Sequence, residues 1–114
     1  MTDDEKDDAL LSQIIGDVIL ERMRQEKIWG PQSRPMGGAN TIVYRLLADT
    51  HREACDLAAK AGTLTWRHVF LEEVYESFAE PEYPKFRAEL IQALAVGFAI
   101  LLDGDKRASP KAQA

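Results

Sequence analysis

The sequence predicts an all-α protein, a bundle of four to five helices in which an antiparallel helix hairpin carries an acidic site. Three observations point there. Apolar residues recur at helical spacing through most of the 114 residues. No stretch alternates β-branched residues, and no Asn-Gly or Asp-Gly turn marks a strand hairpin. The short link "EPEYP", with two prolines, separates the last two helical stretches in the manner of a helix–helix turn.

The first helix is expected from about Asp7 to Trp29. Leu11, Ile14, Ile15, Val18, Ile19 and Met23 form its apolar stripe, "ERMRQEKIWG" turns polar and basic, and Gly30 then Pro31 end it. The stretch "GPQSRPMGGAN" is too rich in glycine and proline for a regular element. The second helix is expected over about Thr41 to Ala61, with Asn40 as N-cap, Gly62 as stop, and Val43, Leu46, Leu47, Ala54, Leu57 and Ala58 on its apolar side. The third begins at the N-cap Thr65 and ends near Glu80, with Val69, Phe70, Val74 and Phe78 near helical spacing. Pro84 suits the first turn of the fourth, where its missing N–H is harmless. That helix carries Phe86, Leu90, Ala93, Leu94, Gly97, Ile100 and Leu101 and is expected to stop at Gly104. One domain over residues 1–114 is expected, with 1–6 and 105–114 as frayed tails.

Composition narrows the function classes. A net charge of −5 argues against nucleic-acid binding through a basic surface. The longest nearly uncharged run, Leu90 to Leu102, is 13 residues, against about 20 for a membrane span. The start "MTDDEKDDAL" lacks the basic and apolar regions of a signal peptide. The single cysteine, Cys55, has no intramolecular partner, so a reducing, cytoplasmic setting is expected.

The acids carry the chemistry. "LEEVYESFAE" places Glu73 and Glu76 three apart on one helix face, with Glu72 beside them and Glu80 following. On the fourth helix Glu89 and Gln92 are also three apart, and Glu76 and Glu89 lie symmetrically about "EPEYP". An antiparallel hairpin lets the two pairs face each other. Carboxylates gathered in this way repel unless neutralised, and Mg²⁺ takes a few of them together with water and substrate phosphates. The alternative is a solvated acidic face, common for one such pair but less so for two placed opposite each other. Neither helix carries a Glu-x-x-His, so the di-iron pattern is not met.

"EEVYE", twelve residues, then "ELIQ" resembles the Glu-Glu-x-x-Glu, spacer, Glu-x-x-Asp signature of the MazG-like all-α nucleoside triphosphate pyrophosphohydrolases, a superfamily that includes the dimeric dUTPases and dCTP pyrophosphatases. The flanks "ERMRQEKIWGPQ", "GTLTWRHVFLEEVYESFAE" and "RAELIQALAVGFAILLD" look like a subgroup from actinobacterial and phage genomes. The resemblance runs from about Glu21 to Asp103. It implies a MazG-like bundle and the reaction NTP + water → NMP + diphosphate, with Glu73, Glu76, Glu89 and Gln92 at Mg²⁺ and Mn²⁺ as a possible substitute. Glu72 or Glu76 would be base toward the attacking water. It also implies a homodimer or homotetramer, which Gly97 and the apolar face of the last helix suit. Gln92 departs from the usual aspartate: it offers a carbonyl oxygen without charge, so a non-catalytic helical module that binds nucleotide or a protein partner is the alternative.

Arg24, Lys27 and Arg34 suit either a triphosphate or the negative end of the first helix. Gln25 and Trp29 suit a nucleobase, and Trp29 equally suits a core anchor. Trp66 suits base stacking or a cover over the start of the third helix. His68 is expected to be exposed or hydrogen-bonded, His51 to lack a partner, and Cys55 to be a small packed residue.

Overall fold

The computed structural model describes residues 1–37 and 41–108. It is all-α: α1 (Asp3–Trp29), α2 (Thr41–Ala61), α3 (Trp66–Phe78) and α4 (Tyr83–Ala108), with no strand among the described residues. The chain divides into two compact units: Met1–Pro35 with the chain from Phe98 onward, and Met36–Gly97. No helix among the described residues is long and apolar enough to cross a membrane.

Local chemistry explains most element ends. Thr2 caps α1, its hydroxyl accepting from the Glu5 N–H at 3.2 Å, and Asp3, Asp4 and Glu5 complement the positive end of the helix. The helix therefore starts four residues before the expected Asp7, inside the supposed tail. At its other end Gly30 takes φ 71° and donates to Glu26 O at 2.7 Å. Gly62, at φ 73°, ends α2, while the Thr63 N–H reaches back to Ala58 O at 2.8 Å. Asn40, expected as the α2 cap, lies outside the described residues.

Thr65 caps α3 as expected, and His68 completes a capping box with it. Thr65 Oγ1 accepts from His68 N–H at 3.3 Å, and Thr65 N–H donates to His68 Nδ1 at 3.0 Å. Helix α4 passes Gly104 and ends at Ala108. Gly104 does not take a positive φ, and the added turn is rewarded by Arg107 on Asp103 at 3.1 Å and Lys106 on Asp7 at 3.2 Å. Residues 105–108 are thus helical, not a tail; 109–114 lie outside the described residues.

In the second unit α2 packs extensively on α3. The buried residues there are all small: Ala48, Cys55, Ala58, Ser77, Ala79 and Ala93. Small side chains let helix backbones approach closely, and larger ones then rim the contact. The expected apolar sides are correspondingly more open: Val43, Leu46, Leu57, Phe78 and Leu94 are all exposed. In the first unit Ile14 is buried, while its stripe neighbours Ile15, Val18, Ile19 and Met23 are exposed.

Within the second unit α3, a short turn and the first part of α4 make a helix hairpin that closes at one point. The Phe70 ring on α3 lies 3.5 Å from where a Cβ on Gly97 of α4 would sit. That is ordinary van der Waals contact, and Gly97 is helical with no need for a positive φ. Gly97→Ala is therefore expected to stabilise the protein by about 0.5–1 kcal/mol, the conformational cost of glycine inside a helix, read as a higher urea midpoint. A lower midpoint would show that the Phe70 ring cannot give way.

Candidate functional site

The hairpin determines which acids meet. Glu72, Glu73 and Glu76 project from α3, one or more of them at each helical turn, and Glu89 comes from α4 across the turn. All four are partly buried. The Glu73 carboxyl is pushed above its ordinary range, first by burial and then by the charges of Glu72, Glu89 and Glu76. That three like charges add to the effect of burial shows that the four acids are gathered near one another. Glu73 has no ion-pair partner among the described residues.

Its neighbours do have one. Arg52, from α2, donates to Glu76 and lies 3.8 Å from Glu72 and 3.6 Å from Asp49 on its own helix. The Glu76 carboxylate in turn raises the Arg52 pKa further. Glu80, two residues beyond the end of α3, lies 3.9 Å from Arg45. Gln92 is exposed on α4, three residues beyond Glu89. Among the described residues no group of three or more His, Cys, Asp or Glu side chains is arranged so as to hold a metal ion as it stands.

The donor set can be tested against a metal on its chemistry. The four carboxylates are hard oxygen donors, the type that Mg²⁺ and Mn²⁺ take in combination with water and phosphate. The half-buried Glu73 carboxyl lies among three other carboxylates, and no cation of the described residues pairs with it. The residue types fit a divalent cation; the counter-charge now in the cluster is Arg52.

Around the cluster the second unit is aromatic. His51 stacks on Tyr75 at 4.9 Å between ring centroids, so it has the partner the sequence did not reveal. Tyr44 meets Phe78 edge-on at 5.3 Å. Tyr44, Phe78, Tyr83 and Phe86 line a cleft of about 190 Å³ with Glu80 at its wall. Cys55 is buried, and its thiol donates to His68 O at 3.0 Å. Burial, then Glu72, push the thiol up to about 11, so it is a packed residue and not a nucleophile.

Of the residues considered for substrate, Trp66 lies in the second unit with the cluster, at the start of α3 and partly exposed. Arg24, Gln25, Lys27, Trp29 and Arg34 belong to the first unit. Arg24 is held by Glu21 through two hydrogen bonds of 2.5 and 2.7 Å, and Gln25 reaches the same carboxylate at 3.4 Å. Arg34 donates to Gln32 at 3.4 Å. Trp29 is 61% exposed, so its core-anchor reading fails: the left-handed turn at Gly30 ends the helix without any packing from the indole. Sequence reasoning missed Arg52 as a member of the cluster. Its available signals were the i,i+3 pairing with Asp49 and the excess of acids on α3.

Comparison with protein-family models, with curated proteins and with solved structures returned no match.

Proposed function

We propose that the protein is a divalent-cation-dependent nucleotide pyrophosphohydrolase of the MazG-like type, converting (d)NTP and water to (d)NMP and diphosphate. The observation that carries this reading is the Glu73 carboxyl, pushed above its ordinary range by burial and by Glu72, Glu89 and Glu76. A cluster so costly in the metal-free protein is accounted for by a cationic ligand.

In this reading Glu73, Glu76 and Glu89 would hold Mg²⁺, with Mn²⁺ as a substitute, and Gln92 would add a neutral oxygen. When bound, the cation would supply charge neutralisation at the phosphates and a more acidic water. Glu72 or Glu76 accepts the proton of the water that attacks the α-phosphorus, and the Pα–O bond to the diphosphate breaks. Trp66, in the same unit as the cluster, stacks on the base. A second copy of the chain is the proposed partner, in a homodimer or homotetramer, because Val18, Ile19, Leu20 and Met23 of α1 leave apolar surface exposed. The proposed setting is the cytoplasm, consistent with one free, buried thiol.

The second reading is a non-catalytic nucleotide-binding or protein-interaction module. Its support is specific: Arg52 already neutralises part of the cluster, and Gln92 removes a charge. Incubation of the purified protein with a panel of canonical and modified (d)NTPs, with Mg²⁺, Mn²⁺ or chelator, decides between them. Diphosphate release that requires the cation is expected. No turnover of any nucleotide together with nucleotide-dependent thermal stabilisation would establish the second reading instead.

A further inference from the structure

Resting on the hydrolase reading, we propose that Arg52 is the resident counter-ion of the metal-free cluster and competes with the divalent cation for Glu76 and Glu72. Its guanidinium carries a permanent charge and presents several donors at once. It contacts Glu76 and lies near Glu72, two acids four residues apart on one face of α3. A cation and this guanidinium cannot occupy the same carboxylate oxygens, so metal loading displaces Arg52 from Glu76.

Two further features make Arg52 the group that moves. Its side chain is 46% exposed, whereas those of Glu72 and Glu76 are 24% and 22% exposed and fixed on the packed helix. Displaced, it has a partner waiting: Asp49, on the same helix and 3.6 Å away, keeps it paired without the glutamates. The metal-free fold is thereby spared part of the repulsion among its acids, and metal affinity is set lower than the carboxylates alone would give. Arg52 acts through the ligands and is a positioning residue.

Competition and mere support have opposite signs. Calorimetric titration of the full chain with Mg²⁺ or Mn²⁺ alone, without nucleotide, reads the difference. Arg52→Gln is expected to lower the metal-free melting temperature, because the cluster loses its counter-charge. It is also expected to tighten cation binding roughly tenfold, the factor of one charge-assisted hydrogen bond no longer competed for. Arg52→Lys keeps the charge but loses the planar fork, so it should tighten binding by a smaller factor; it carries the measurement if Arg52→Gln does not fold. Unchanged or weaker cation affinity in the folded variant, beside a wild type that binds and hydrolyses, overturns the competition alone. A wild type that binds neither cation overturns it together with the metal-dependent reading.

Discussion

Replacing Glu73 by glutamine is expected to stabilise the metal-free protein at pH 7 and, under the proposed function, to lower diphosphate release on the order of 100-fold or more, as loss of a charged metal ligand would. Both effects have one cause. Burial and three neighbouring carboxylates raise the Glu73 carboxyl above its ordinary value of 4.5. The folded state therefore binds this proton more tightly than the unfolded chain does. By linkage, stability from this group is fully present below the unfolded value, falls as pH rises toward the folded value, and at neutral pH has become a cost. Glutamine has the same shape and no charge, so it removes the cost. The advantage of Glu73→Gln over the wild type should thus be seen in urea midpoints at pH 7 and shrink below about pH 4. Saturating Mg²⁺ should narrow the gap from the other side, by stabilising the wild type more than the variant. A variant less stable than the wild type at pH 7 would mean that Glu73 is held by favourable contacts, and the case for a repelled cluster would fall.

The sequence carried the helices well wherever an end is made by local chemistry. Thr65 and Gly62 placed the start of α3 and the end of α2 because a cap hydroxyl and a left-handed glycine act within a few residues. Gly104 misled for the same reason in reverse. A glycine stops a helix only if the chain turns there, and Asp103–Arg107 and Lys106–Asp7 reward going on. That Glu89 comes near enough to Glu73 to act on its charge was legible, because Glu76 and Glu89 lie symmetrically about a short turn. Arg52 was not, since 24 residues separate it from Glu76 and its contact depends on how α2 lies on α3. His51 was missed likewise, its stacking on Tyr75 being a product of the same packing. The core was misjudged in kind. Apolar periodicity weighs large side chains most heavily, but close helix approach buries the small ones, leaving Leu46 and Leu57 at the rim.

That small-residue contact leads to the largest stability effect. Ala48→Leu is expected to cost about 1–3 kcal/mol, the usual penalty for adding methylenes to a packed interior. Ala48 is 0% exposed, on α2, the helix that packs extensively on α3. A leucine there has no room unless the two helices part. In a chain of this size each kcal/mol moves the melting midpoint by roughly 4 °C or more, so the loss is readily measured. Leu46→Ala is the control: Leu46 is two residues away on the same helix but 63% exposed, and its truncation should change stability by only about 0.5 kcal/mol. The damage should extend to the site, because Arg52 meets Glu76 and Glu72 only through this contact. Moving α2 off α3 takes Arg52 away from the two glutamates. If instead Ala48→Leu matches the wild type in midpoint, the close approach of the two helices is not what holds this unit together.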